Sequence, residues 1–163
     1  MHVDPSARDA TWRAYVSELP PDHPHRRVKP DAFAFGDEPA IADELAALVV
    51  AGRKRATTSL PIEFTALNEP LPRVGDVSII VRGDGVPVAI IERTQVITVP
   101  FDAVDATYAA IEGEGDGSLA YFREAHTEYF TGVCARLGGR FEAQTPVLCQ
   151  IFRVLWTSPG GSR

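Results

Sequence analysis

Two runs rich in Val, Ile and Thr, residues 77–82 and 87–98, flank the tight reversal Gly83-Asp84-Gly85. β-branched side chains suit a pleated surface, and glycines at a reversal supply backbone angles that other residues avoid. The spacing predicts a β-hairpin, which Pro100 closes. The remaining periodicities supply helices to cover it. Residues 9–18 carry Trp12, Tyr15, Val16 and then Leu19 at spacings of three and four, a short amphipathic helix that Pro20 and Pro21 stop. From Glu38 a second helix places Ile41, Leu45, Leu48 and Val49 on one face, with Asp37 as N-cap, Pro39 in the first turn and Gly52 as its end. Asp102–Ala110 reads as a short helix, and residues 118–137 as a longer one that Gly138-Gly139 ends. Residues 146–156 form a central strand. Between the first two helices, Pro21, Pro24 and Pro30 interrupt His23, His25, Arg26, Arg27 and Lys29, so that stretch reads as an irregular, mobile connection. The order helix, helix, hairpin, helix, helix, strand is α+β, a small curved sheet packed on helices.

At 163 residues the chain fits one domain, able to bury about 70% of the surface its unfolded form exposes. With 45% hydrophobic residues it needs neither metal nor disulfide staples. Cys134 and Cys149 lie in apolar stretches without CxxC spacing, and read as buried thiols of a reducing, cytoplasmic protein. The N-terminus lacks a signal-like apolar run, and no stretch approaches the length of a membrane span. The net charge of −6 argues against coating long nucleic acid, which requires many cations on phosphates. Positive charge is nevertheless bunched at residues 26–29 and 53–55. An acidic chain with one basic cleft suits a nucleoside, a nucleotide or a short RNA end.

Three segments could carry chemistry. In Gly52-Arg53-Lys54-Arg55-Ala56-Thr57-Thr58-Ser59, three cations meet three hydroxyls just past a helix end. Cations are common there because the helix dipole favours them. A functional role requires the chain to turn, since in a straight strand Lys54 and Thr57 face opposite ways. The second segment is Glu112-Gly113-Glu114-Gly115-Asp116-Gly117. Its acids fall at calcium-loop positions one, three and five, but position twelve is Arg123 where a bidentate Glu is needed, so no metal is expected. The plainer reading is a solvated turn, with Asp116 or Ser118 capping the next helix. Third, His126 falls on the apolar stripe Leu119, Phe122, His126, Phe130, Val133, Leu137, where a hydrogen-bonded core histidine is commoner than a catalyst.

Together, Gly52-x-Lys54-x-x-Thr57, Leu71-Pro72-x-Val74-Gly75-Asp76, the hairpin, Pro100-Phe101, Glu112-Gly-Glu114-Gly-Asp116-x-Ser118-Leu119, Ala125-His126 and the closing strand resemble the ASCH domain family. The resemblance implies a PUA-like fold, a small β-barrel flanked by helices, over residues 33–156. Residues 1–32 are then the N-terminal helix and connection of the longer bacterial members, and 157–163 a flexible tail. It also implies RNA-related roles; one short bacterial branch hydrolyses the acetamide of N(4)-acetylcytidine using the Lys and Thr of G-x-K-x-x-T and a downstream Glu. Carried over, these are Lys54, Thr57 and Glu114, with Glu112 in reserve because the glycine loop here is longer. Arg53, Arg55, Thr58, Glu112, Asp116 and His126 are the expected substrate-binding groups. Thr58-Ser59-Leu60 stands where the short members often have an Arg, which bears on substrate identity. No cofactor is implied.

A threonine hydroxyl is a poor nucleophile until a base takes its proton, and the flanking Arg53 and Arg55 favour the neutral amine that would make Lys54 that base. Glu114 would protonate the leaving amine. The competing expectation is a binding module, with Arg53, Lys54 and Arg55 on phosphate and Phe64, Tyr121 or Phe122 stacked on a base. A metal-independent ribonuclease is the third, and a homodimer is left open.

Overall fold

The computed structural model describes residues 3–159 of the chain. In chain order the elements are α1 (Pro5–Ser17), a 3-10 turn (Pro24–Arg27), β1 (Asp31–Phe33), α2 (Pro39–Val50), β2 (Ala56–Ser59), α3 (Pro61–Leu67), β3 (Val77–Val81), β4 (Pro87–Pro100), a 3-10 turn (Phe101–Ala103), α4 (Ala106–Glu112), α5 (Leu119–Arg136) and β5 (Pro146–Thr157). The mixed five-stranded sheet has the order β1-β3-β4-β5-β2. That order has two ends, β1 and β2, so the sheet is open and the expected closed barrel is not formed. The α+β architecture stands. Among the described residues no helix is long and apolar enough to cross a membrane.

The chain divides into two compact units through which β4 and β5 both run. One comprises Met1–Gly52, Gly75–Glu92 and Arg153–Arg163. Here β1 pairs parallel with β3 (Asp31↔Ser78 to Phe33↔Ile80), and β3 antiparallel with β4 (Val77↔Glu92 to Val81↔Pro87). The hairpin reverses where anticipated because Gly83 must lie against the start of α2; a Cβ there would sit 2.4 Å from the Pro39 carbonyl oxygen. Tyr15, Val77, Ile79, Val81 and Ile90 form its core with Trp12, Val16, Leu155 and Trp156. The proline-rich connection has no regular structure apart from the 3-10 turn Pro24–Arg27, and the Tyr15 hydroxyl lies 2.8 Å from His25 Nδ1 within it. α2 buries Ala42, Leu45, Ala46 and Val49, while Ile41 stays 41% exposed, so the buried stripe is rotated from the expected one. Glu38, not Asp37, is the N-cap and makes no side-chain cap bond, and Pro39 takes the first turn, where its missing N–H leaves no donor unpaired.

The other unit comprises Arg53–Val74 and Arg93–Phe152. β2 pairs antiparallel with β5 from Ala56↔Ile151 to Ser59↔Leu148. Leu60, Phe101, Val104, Phe122, Phe130, Val133 and Val147 make the core, with Phe101 edge-on to Phe130 and Phe141. α5 buries Phe122, His126, Phe130 and Val133 of the expected stripe but ends at Arg136 with Leu137 exposed, and it is capped by Ser118, whose Oγ accepts from Tyr121 N at 3.1 Å. Cys134 and Cys149 are buried and unbridged. Of the tail expected at 157–163, Thr157 ends β5, Ser158 N donates to Val88 O, and residues 160–163 lie outside the described residues.

Candidate functional site

The 53–55 segment precedes β2 without regular structure and is pinned on both sides, Arg55 N donating to Ile111 O (3.0 Å) and Phe152 N to Arg55 O (2.9 Å). α4 ends at Glu112, and Gly113 turns the chain in the left-handed region (φ +70°). Only glycine fits there, since a Cβ would lie 2.3 Å from the Arg53 carbonyl oxygen. These restraints hold the Lys54 backbone against the start of the acidic loop.

Lys54 is completely buried. Because the strand begins only at Ala56, its side chain folds back, and Nζ donates to the Ala56 carbonyl at 2.9 Å. The same ammonium is hydrogen-bonded to Glu114 Oε1 and lies 3.6 Å from Glu112 Oε1. Glu112 is 1% exposed, whereas the Glu114 side chain keeps 18% exposure. Glu112 Oε2 accepts from Thr58 Oγ1 at 2.8 Å, and Oε1 lies 3.2 Å from His126 Nε2. His126 Nδ1 is 2.9 Å from Phe122 O, and its ring stacks on Phe122 at 4.1 Å. One ammonium, an imidazole and two carboxylates are thus joined in one hydrogen-bonded cluster, the form in which buried charge is tolerated. Around Lys54 the structure puts carboxylates where flanking cations were expected. Arg53 and Arg55 are exposed, and their side chains make no hydrogen bond or ion pair among the described residues.

Tyr108 ties this cluster to the sheet. Its hydroxyl donates to Thr57 O at 2.8 Å, accepts from Gln150 N at 3.2 Å, and lies 3.2 Å from Thr58 Oγ1, bridging the facing residues of β2 and β5. Burial pushes the phenol far above its ordinary value of 10.0, so it remains a donor. Asp116 is exposed and accepts from Ser118 N at 2.8 Å, a capping role apart from the cluster. Phe122 is buried in the core and unavailable to stack on a base; Tyr121 is 39% exposed, and Phe64 is half-buried.

The side chain of Thr57 is not part of that cluster. Thr58 faces Glu112, and strand alternation turns Thr57 the other way, half-buried, with no hydrogen bond from its hydroxyl among the described residues. On that second face Arg93 Nε donates to Gln150 Oε1 (2.7 Å) and Gln150 Nε2 donates to Ser59 Oγ (2.9 Å). Tyr108, Arg93 and Gln150 were not singled out from sequence, and Ser59 only as one hydroxyl of the 52–59 segment; Gln150 hides in an apolar run, and only the β2–β5 register sets it opposite Thr57. Among the described residues no group of three or more His, Cys, Asp or Glu could hold a metal ion.

Two groups of the cluster, Glu112 and His126, are shifted in opposite directions. Burial disfavours the Glu112 carboxylate, but the Lys54 charge and the His126 and Thr58 hydrogen bonds outweigh it and lower the pKa from 4.5 to about 2. Burial likewise opposes charge on His126, and the Glu112 hydrogen bond and charge raise it above 6.5. The Glu112 contribution to stability is therefore complete above pH 4.5 and lost as pH falls towards 2. That of His126 is complete below 6.5 and lost as pH rises through its raised value. His126→Gln is expected to remove the alkaline-side loss selectively, which chemical denaturation from pH 5 to 9 would measure; an unchanged pH profile would place that titration elsewhere.

The ASCH domain model matches residues 31–156. A search of curated proteins finds no match. Among solved structures, the ASCH domain from Lactobacillus crispatus JV V101 is similar at 30% identity and a TM-score of 0.87, over 95% of this chain and 97% of that one. A DUF984 protein from Enterococcus faecalis V583 is similar at 31% identity and a TM-score of 0.81, over 91% and 88%. The matched span takes in the segments that supply the cluster, from Lys54 through His126, and the strand that faces Thr57. The chain belongs to the ASCH domain family.

Proposed function

We propose that the chain binds a small modified nucleoside and hydrolyses an amide on it, of the kind carried by N(4)-acetylcytidine. The observation that carries this reading is the environment of Lys54. Its buried ammonium is bonded to a partly open carboxylate, Glu114, and to the peptide carbonyl immediately before Thr57. In this scheme Thr57 Oγ1 bonds to the acyl carbon as its proton passes through a water molecule to Glu114, which is partly open to solvent, because the Thr57 side chain lies outside the cluster. The carbon–nitrogen bond then breaks, and Glu114 returns the proton to the leaving amine. Water hydrolyses the acyl-threonine ester, releasing the carboxylate and regenerating the hydroxyl. Lys54, fully buried between the carboxylates, positions Glu114 and does not itself touch the substrate. Glu112, sunk beneath it, positions Lys54.

The exposure of Arg53 and Arg55 favours a second reading, a module gripping the phosphate of a nucleotide or RNA end. Salt separates the two. Incubation with N(4)-acetylcytidine, followed by chromatography of cytidine and acetate, is expected to give turnover nearly independent of ionic strength, because the substrate is uncharged. Absence of cytidine, together with RNA-end binding that falls steeply with salt, would replace the hydrolase by the binding module.

A further inference from the structure

We propose that Gln150 and Ser59 form a hydrogen-bond-donating edge beside Thr57 that selects a base presenting two adjacent acceptors, as cytosine does; the inference rests on the nucleoside reading above. The antiparallel register sets Gln150 directly opposite Thr57, so their side chains share a face, and Ser59 lies two residues along on the same face. Gln150 is 2% exposed, and its amide has only one workable orientation. A guanidinium can only donate, so the carboxamide oxygen faces Arg93, which leaves the nitrogen facing Ser59. That nitrogen carries a second hydrogen with no acceptor among the described residues, although buried donors are ordinarily paired. Ser59 Oγ accepts from Gln150, and its own proton has no acceptor among the described residues either. With the Thr57 hydroxyl, three unspent donors stand side by side.

The Watson–Crick edges of the bases answer such a row differently. Cytosine offers O2 and N3 as adjacent acceptors. Uracil places N3–H between its carbonyls, adenine pairs one acceptor with an amino donor, and guanine presents one acceptor beside two donors. Against a row of donors only the cytosine pattern avoids facing a donor with a donor, and a buried mismatch of that kind costs the full desolvation of both groups.

The test is equilibrium binding of cytidine and of uridine to the full chain by calorimetric titration. The wild type is expected to prefer cytidine by about tenfold or more, in line with a gained hydrogen bond and an avoided donor clash. Gln150→Glu turns the donor into an acceptor while still accepting from Arg93, and is expected to abolish or invert the preference. Ser59→Ala, a smaller change that keeps the readout available if the first variant fails to fold, is expected to reduce it severalfold. Equal wild-type affinities, or a preference that survives both substitutions, would overturn the proposal. Cytidine preference without hydrolysis of the acetylated nucleoside would remove the reaction and keep this edge; hydrolysis with no such preference would do the reverse.

Discussion

Lys54→Met is expected to lower stability by about 3–5 kcal/mol, the usual cost of removing one partner from a buried ion pair. For a domain of this size that corresponds to a fall in Tm of roughly 6–20 °C. Methionine fills the volume of the lysine stem, so the loss comes from charge, not from a cavity. Glu114 retains access to solvent and can turn outward, but Glu112 cannot. Without Lys54, the strongest influence holding its pKa down is gone, and burial favours the protonated acid. The stability gap between wild type and variant is therefore expected to be smaller at pH 4 than at pH 7, because protonation of Glu112 relieves the stranded buried charge in the variant and is resisted in the wild type. Adding Glu112→Gln should recover a large part of the loss at pH 7, since it removes the stranded charge. Denaturant titrations of the two variants at pH 4 and pH 7 measure both effects. A Lys54→Met loss below about 1 kcal/mol, the range of an exposed pair, would mean that the ammonium is not committed to these carboxylates.

The sequence made the larger elements legible because each carries several repeats of its own periodicity. α5 has Phe122, His126, Phe130 and Val133 in step, and the hairpin is marked by its glycine reversal. β1 and β2, of three and four residues, are too short to show any period, and they are the strands that decide whether the sheet closes. The relation between Lys54 and Thr57 turns on where β2 begins, one backbone step that no composition rule fixes. Starting at Ala56, the strand leaves Lys54 free to fold back, while alternation separates Thr57 from Thr58. The choice between Glu112 and Glu114 was likewise hidden, since both are acids beside glycines. Their difference is positional: Glu112 is the last residue of α4 and points inward, and Glu114 follows the left-handed turn at Gly113 and stays partly open. His126 was readable as a buried histidine, but its ionic partner lies on another helix.

That separation of neighbours gives the largest expected effect on activity. Thr57→Val is expected to reduce hydrolysis by on the order of 10⁴-fold or more, the scale seen when a covalent nucleophile is removed. It should change stability by less than about 0.5 kcal/mol, because the Thr57 hydroxyl makes no hydrogen bond among the described residues and valine preserves the β-branched shape. Thr58→Val should behave in the opposite way. It strips a 2.8 Å hydrogen bond from the buried Glu112 carboxylate, a loss of about 1.5–3 kcal/mol, and leaves the chemical step in place. Measuring kcat and the midpoint of unfolding for both variants gives a crossed pattern, one substitution silent in stability and the other nearly silent in turnover. If Thr57→Val keeps its turnover and a folded Thr58→Val loses it, the nucleophile is the hydroxyl on the Glu112 side, and the second face of β2 has no part in the reaction.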